Sequence, residues 1–207
     1  MAANVICISR SLGAGGEEVG RLVAAALSFR YVDDEIIVRA AEQAGVSASM
    51  IEQVEHTPGL VARILETIGR APVPAEGVIA YEHVTALASE SYERIIADVI
   101  VQTADEGRVV IVAHGASFPL AGKEGVLRVF VTASLEVRTA RLSREGRLDE
   151  RATEKAIEES DRQRREYLKR FYDVREELPA HYDVTVNTDV ITPAHAARVI
   201  VAAASGR

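Results

Sequence analysis

A glycine-rich segment near the start of the chain carries the clearest chemical signal in this sequence. The apolar run Val5–Ile8 predicts a short buried strand, and it leads into the turn Gly13–Gly16. Apolar side chains then recur at helical spacing over residues 19–27, which predicts a helix directly after the turn. The backbone N–H groups of such a turn, with the helix N-terminus, can hold a phosphate. The alternative is a tight turn that only requires small residues.

The loop departs from the standard phosphate loop at the positions that supply charge and bind magnesium. In the pattern G-x-x-x-x-G-K-[ST], with Gly15 as the last glycine, Gly16 replaces the lysine and Glu17 replaces the serine or threonine. Arg10 stands at the first glycine and is the first candidate for the missing positive charge. The alternative is a surface arginine beside a turn.

Glu17 is the loop residue whose chemistry fits an anion site least. A carboxylate in the first turn of a helix is favoured by the helix dipole, but it competes with any anion held there. Glu17 could bind Mg²⁺ in place of the usual hydroxyl. It could equally indicate a site that no longer binds a triphosphate.

Two arginines on a predicted helix are further candidates for a phosphate site. Arg138 and Arg141 follow a predicted strand and are three residues apart, so they share a helix face and can reach one ligand together. Ordinary solvation of the helix is the alternative.

A second predicted helix, over about residues 149–172, places charge on its apolar face. Asp161 and Arg164 fall on the stripe that also contains Leu168. Charged groups on a core-facing stripe are costly unless they are paired or face a ligand cleft. The structural alternative is an internal ion pair, Asp161–Arg165 or Asp161–Arg164.

Composition bounds the class of protein. A chain of 207 residues, 48% hydrophobic and 27% charged, is long enough for one substantial core. The formal net charge of −7 argues against general affinity for nucleic acid or anionic membranes. Cys7 is the single cysteine, which excludes an intramolecular disulfide and a cysteine-based zinc cluster. The first residues lack a signal-peptide pattern, so we predict a cytoplasmic protein with no membrane span.

Strands alternate with helices along the chain, which predicts a three-layer α/β/α sandwich on a parallel sheet. Further strands are predicted at Val109–Ala113, Val126–Val131 and Tyr182–Asn187. Ligands bind at the carboxyl ends of such strands, where the glycine turn lies. We predict one domain over residues 1–207, with an irregular acceptor-side arm over about 46–91 and a lid-like, arginine-rich segment over about 138–172.

Five segments in order resemble the cytidylate kinase-like proteins among the P-loop nucleoside monophosphate kinases, over nearly the whole chain. The matching segments are Ile8–Gly16, Tyr31–Ile37, Val110–Ala116, Leu127–Val131 and Tyr182–Thr188. Members of this branch commonly carry a Gly-x-Gly-Gly loop after Ile-Ser-Arg, so the absent lysine looks like a habit of the branch.

The resemblance implies a phosphotransferase that uses ATP and Mg²⁺ and acts on a small-molecule nucleotide. Gly13, Ala14, Gly15, Gly16 and Glu17 would lie against the nucleotide phosphates. Phosphoryl transfer needs positioning and surrounding cations. The resemblance therefore makes Arg10, Arg138 and Arg141 the catalytic candidates, the last two as lid arginines that close over the phosphates.

The resemblance also implies an acceptor site formed by Asp33, Arg39, His114, Asp161 and Arg164. Cytidylate kinases have an arginine where this chain has His114, and histidine is shorter and mostly neutral at pH 7. Gly16, Glu17 and His114 support an alternative, a catalytically silent nucleotide- or phosphate-binding protein that retains the kinase fold.

Overall fold

A five-stranded parallel sheet forms the centre of the structure, a computed structural model that describes residues 2–45, 94–112, 115–146 and 149–206. Its strands are β1 (Val5–Arg10), β2 (Arg30–Val32), β3 (Val109–Val112), β4 (Val126–Thr132) and β5 (Val184–Asn187). They are arranged in the order β2-β3-β1-β4-β5, and every pairing is parallel. The first strand is therefore central, and its carboxyl end lies in the middle of the sheet edge.

Helices connect these strands. They are α1 (Gly16–Leu27), α2 (Glu35–Ala44), α3 over 94–105, α4 (Leu135–Glu145), α5 (Glu150–Tyr172) and α6 (Pro193–Ala204). A short 3₁₀ helix, Pro179–His181, precedes β5.

Side chains of the central strand alternate between two separate cores. Val5 and Cys7 pack in a core with α2 and α3, whereas Ile6 and Ile8 pack in a second core with α1 and α6. A parallel strand covered by helices on both faces is buried throughout, as the run of apolar residues predicts. The structure thus confirms the α/β/α sandwich on a parallel sheet. Burial also raises the pKa of the Cys7 thiol to about 12, in agreement with its predicted place in the core.

The N-cap residues of α4 and α6 cap their helices with a side-chain hydrogen bond, whereas that of α2 does not. The Ser134 side chain accepts from the Val137 N–H, and the Thr192 side chain accepts from the His195 N–H. Asp34 occupies the cap position of α2, but its side chain accepts no capping hydrogen bond. Its backbone is already helical (φ −59°, ψ −18°), whereas a capping side chain requires an extended residue.

The arm predicted over 46–91 lies outside the described residues, as does His114. Within the described ranges, no helix combines the length and apolar character needed to span a membrane.

Candidate active site

The glycine loop connects the carboxyl end of β1 to the first turn of α1. Gly13 and Gly15 both have φ +79°, a conformation that costs little only for glycine. Ala14 lies between them, fully buried, and its N–H donates to the Ser11 carbonyl at 3.0 Å. Gly15 is the N-cap residue of α1 and, as a glycine, has no side chain with which to cap it. The first N–H groups of α1, which have no acceptor within the helix, are therefore available to an anion.

Three consecutive loop carbonyls accept hydrogen bonds from side chains of other elements. The donor–acceptor distances are 3.4 Å from Arg138 Nη1 to the Leu12 carbonyl, 3.5 Å from Arg141 Nη1 to the Gly13 carbonyl, and 2.9 Å from Thr188 Oγ1 to the Ala14 carbonyl. In a trans peptide group, the N–H points away from the C=O. The N–H groups of Gly13 and Gly15 therefore point away from α4 and β5, into the concave side of the loop, as in an anion-binding nest.

Arg138 is held by a carboxylate from the neighbouring helix. Its Nη1 and Nη2 donate to the two oxygens of Asp161 on α5, at 3.0 and 2.8 Å. The Arg138 side chain is only 8% exposed, and its Nε–H has no partner among the described residues. A buried, unpartnered guanidinium N–H costs free energy unless a ligand or water satisfies it. The Arg138 side chain lies directly against the loop, 3.2 Å from where a Cβ on Gly13 would be.

This pairing corrects the two ion pairs considered for Asp161. The carboxylate bonds Arg138 on α4 rather than Arg164 or Arg165 on its own helix. Arg164 donates instead to both oxygens of Glu177, at 2.7 and 2.6 Å. Both charged residues on the apolar face of α5 are therefore paired with residues from other parts of the chain.

Glu177 joins Arg164 to Tyr182 at the end of α5. The Tyr182 hydroxyl donates to the same Glu177 carboxylate. Burial alone would lower the pKa of the Arg164 guanidinium, but the hydrogen bonds and charge of Glu177 hold it above its ordinary value. For Tyr182, burial and the Glu177 charge both raise the pKa of the phenol. The Glu177 carboxylate therefore keeps Arg164 charged and holds its guanidinium in position.

Arg10 is paired within the loop region itself. Its Nε donates to the carboxylate of Glu17, in the first turn of α1. The Arg10 side chain crosses Gly16 so closely that a Cβ there would lie 2.5 Å from the Arg10 Cβ. The close approach of Arg10 therefore requires glycine at position 16, which aligns with the lysine of the standard loop.

Of the other acceptor-site candidates, the structure describes Asp33 and Arg39. Asp33 follows β2 and accepts from the Tyr31 hydroxyl at 3.1 Å; burial and this carboxylate raise the pKa of Tyr31 to about 12. Arg39 donates to Thr103 at 3.0 Å and to Glu106 at 2.8 Å. Glu106 precedes β3, so the Arg39 guanidinium lies towards the amino ends of the strands. The structure does not bring Arg39 to the loop.

Thr188 and Glu177 contribute to the arrangement but were not identified as site residues from the sequence. Thr188 follows β5 at the carboxyl edge, which is the position where a site residue is expected in a parallel sheet. That signal could have identified it. Glu177 lies between α5 and the 3₁₀ helix, with no local pattern to indicate its partner.

The loop fits a nucleotide phosphate better than it fits a dedicated metal centre. The free N–H groups of the loop and the α1 N-terminus suit an anion. In the described part of the chain, no three His, Cys, Asp or Glu side chains come together as a metal site. Mg²⁺ commonly binds with the phosphates through one or two carboxylates, and Glu17 is the carboxylate nearest the loop in sequence.

Comparisons with known proteins agree with this geometry. A model of the cytidylate kinase-like family matches residues 5–190. An uncharacterized protein from Eubacterium ventriosum ATCC 27560 has the same fold, with a TM-score of 0.69, 14% identity, and coverage of 98% of this chain and 99% of that one. TT1252 from Thermus thermophilus gives a TM-score of 0.52 at 17% identity, covering 98% of each chain.

Shikimate kinase from Bacteroides thetaiotaomicron gives a TM-score of 0.50 at 13% identity, with 96% of each chain covered. At these identities the structural matches show the fold alone. A comparison with curated proteins found no match. The family match spans most of the chain, and the parallel sheet carries its glycine loop at the carboxyl end of the central strand. This protein therefore belongs to the cytidylate kinase-like family and has the fold of the P-loop kinases.

Proposed function

We propose that the chain is a cytidylate kinase-like phosphotransferase that moves the γ-phosphoryl group of ATP to a small acceptor of the nucleoside monophosphate class. The observation that supports this most directly is the glycine loop. Three of its carbonyls are bound on one side, the N–H groups of Gly13 and Gly15 point to the other, and the Arg138 side chain packs against it. Such a loop is suited to a phosphate chain, because phosphoryl transfer depends on positioning and on nearby positive charge.

Each part of the loop region has a role in this proposal. The N–H groups of Gly13, Gly15 and Gly16, with the α1 N-terminus, would hold the donor phosphates, since the Ala14 N–H is bound to Ser11. Arg138 and Arg141 would supply the charge that a lysine supplies elsewhere. Arg10 would join them by exchanging Glu17 for a phosphate. Mg²⁺, bound with the nucleotide, would neutralise charge that develops during transfer.

The sheet order indicates the side on which the acceptor would bind. Arg141 and Thr188 occupy the β4–β5 side of the loop, where they bond each other and the loop carbonyls. The β3–β2 side is where Asp33 follows its strand and where His114 follows β3 in the sequence. We place the acceptor on that side. Asp161 and Arg164 are already paired with Arg138 and Glu177, so any contact they make with the acceptor would be shared with those partners.

A nucleotide panel tests the proposed activity. The full chain would be incubated with ATP, Mg²⁺ and each common nucleoside monophosphate, and both ADP and the phosphorylated acceptor would be quantified. We expect one monophosphate to be phosphorylated, and Arg138→Met to lower kcat/KM about 100-fold or more, as expected for loss of a transition-state cation. Arg162→Met, on the exposed face of α5, is the matched control and should leave kcat/KM unchanged. Absence of product with every acceptor would contradict a monophosphate kinase.

The Arg10–Glu17 pair supports a second candidate, a silent nucleotide- or phosphate-binding protein. In this pair, the carboxylate occupies the guanidinium that the donor phosphates would need. Calorimetric titration with ATP separates the two candidates. Binding without turnover in the panel would favour the silent protein, whereas binding with turnover would exclude it.

A further inference from the structure

Thr188 lies at the point where the β5 edge, the glycine loop and α4 meet. Its side chain is completely buried, directly after the last residue of β5. Its hydroxyl donates to the Ala14 carbonyl at 2.9 Å, with the Thr132 carbonyl farther away at 3.3 Å. The same oxygen accepts from Arg141 Nη1 at 2.9 Å. A single hydroxyl thus uses both its donor and its acceptor capacity inside the site.

The bond to Ala14 determines which way the next amide faces. The Ala14 carbonyl and the Gly15 N–H belong to one planar peptide group and point in opposite directions. Holding the carbonyl on Thr188 therefore aims the Gly15 N–H at the concave side of the loop. Among the described residues, Thr188 is the hydrogen-bond partner of the Ala14 carbonyl. Gly15, with φ +79° and no side chain, restrains this peptide less than another residue would.

The bond from Arg141 determines where that guanidinium lies. Besides the hydroxyl, Arg141 donates from Nη2 to the backbone carbonyl of Thr188 and approaches the Gly13 carbonyl at 3.5 Å. The Thr188 N–H is itself bound to the Thr132 carbonyl at 2.8 Å, so the residue is anchored to the sheet. Arg141 is therefore positioned relative to the loop through a rigid strand end rather than through its own helix alone.

We propose that Thr188 is a positioning residue for phosphate binding: its hydroxyl holds the Gly15 amide and the Arg141 guanidinium in one fixed arrangement. This inference rests on the proposed function for its consequence, namely nucleotide affinity. The positioning of the loop by Thr188 is a property of the protein without a nucleotide. The two can therefore be tested separately.

Hydrogen–deuterium exchange on the free protein tests the positioning itself. Thr188→Val removes the hydroxyl at constant shape, and Thr188→Ser keeps it. The matched control is Thr139→Val, since the Thr139 hydroxyl is also buried but has no partner among the described residues. The amides that report on the loop are the hydrogen-bonded ones, those of Ser11 (to the Val131 carbonyl) and Ala14 (to the Ser11 carbonyl). We expect their exchange to become about tenfold faster in Thr188→Val, as for a lost buried hydrogen bond. Thr188→Ser and Thr139→Val should match the wild type. Equal exchange in Thr188→Val and Thr139→Val would overturn the proposal.

Calorimetric titration with ATP tests the consequence. Thr188→Val should weaken ATP binding about tenfold or more, the usual effect of losing a hydrogen bond that orders a charged contact. Thr188→Ser should recover most of this loss, which a role in packing alone would not explain. If the wild type binds no ATP, the proposed function fails, and the exchange experiment still decides the role of Thr188. Equal ATP affinity in Thr188→Val and the wild type would overturn the positioning role.

Discussion

The two sides of the glycine loop hold their arginines in different ways. On one side, Arg10 pairs with Glu17, seven residues along the chain, and the two side chains are 23% and 39% exposed. On the other, Arg138 pairs with Asp161 from a different helix through two hydrogen bonds and is 8% exposed. Exposed pairs contribute little to stability and exchange partners easily, whereas buried bidentate pairs are costly to break.

This difference suits the two arginines to different behaviour when a nucleotide binds. The Arg138 side is suited to remain fixed before and after a nucleotide binds, because removing its partner would leave a buried charge. The Arg10 side is suited to change, because solvent can replace either member of the pair. We infer that the loop has a permanent arginine on the α4 side and an exchangeable one on the α1 side.

Asp161→Asn should have the largest effect on the free energy of unfolding, because it removes the carboxylate that holds the buried Arg138 guanidinium. The substitution leaves Arg138 buried without its counter-charge, and we expect the free energy of unfolding to fall by about 2 kcal/mol, less than for a fully buried pair because Asp161 is 27% exposed. Urea denaturation measures this change. If Asp161 acts through Arg138, the KM for ATP should rise and the KM for the acceptor should not.

A rise in the acceptor KM alone would contradict this interpretation and restore Asp161 as an acceptor contact. Glu159→Gln is the control on the same helix, since within the described ranges its carboxylate bonds Arg162 and Gln163 of α5 and no residue of another element.

Glu17→Gln should have a smaller effect on the free energy of unfolding than Asp161→Asn, and it should tighten ATP binding rather than weaken it. Releasing Arg10 and removing a carboxylate from the anion site should tighten ATP binding about three- to tenfold without Mg²⁺. The free energy of unfolding should change by less than about 1 kcal/mol, since both side chains are partly exposed. Calorimetric titrations of both proteins with ATP, with and without Mg²⁺, measure the change in affinity. Weaker binding that appears only with Mg²⁺ would instead identify Glu17 as a metal ligand.

Removing an ion pair at the sheet edge, away from the loop, should have the smallest effect on the free energy of unfolding. Asp183 accepts from the backbone N–H and the guanidinium of Arg128. Burial alone would raise the pKa of the Asp183 carboxyl, but the hydrogen bonds from Arg128 hold it below its ordinary value of 3.8. Because this pKa is lowered in the folded state, its contribution is present above pH 3.8 and is lost as the pH falls below it.

We therefore expect wild type and Asp183→Asn to differ by less than about 1 kcal/mol in the free energy of unfolding, since the Asp183 side chain is 38% exposed. The difference should stay constant from pH 7 to about pH 4 and then shrink. Urea denaturation of both proteins across this range measures it, and a difference that grows as the pH falls would contradict the assignment.

Much of the fold could be predicted from local patterns. The continuous apolar runs of β1 and β3 indicate strands buried on both faces, and the sheet shows them at its centre. Ser134, Thr192 and Gly45 mark helix ends through side-chain or backbone preferences that depend only on neighbouring residues. Such features are predictable because the interactions that cause them lie within a few residues.

The partners of the charged residues could not be predicted in this way. Asp161 is 23 residues from Arg138, and Thr188 is 174 residues from Ala14, so no spacing rule connects them. Candidate partners within one helix turn of Asp161 were available and are not used. The choice depends on how α4 and α5 pack against the loop.

By itself, the sequence determined the strands, most helix ends and a glycine loop without a lysine. Backbone sterics and the spacing of apolar residues are local properties, and they suffice for these features. Only the tertiary structure decided which carbonyls the arginines bind, which carboxylate each arginine keeps, and that Arg39 lies away from the loop. Those outcomes depend on which surfaces meet when the sheet and helices pack, and burial then makes each long-range pairing obligatory.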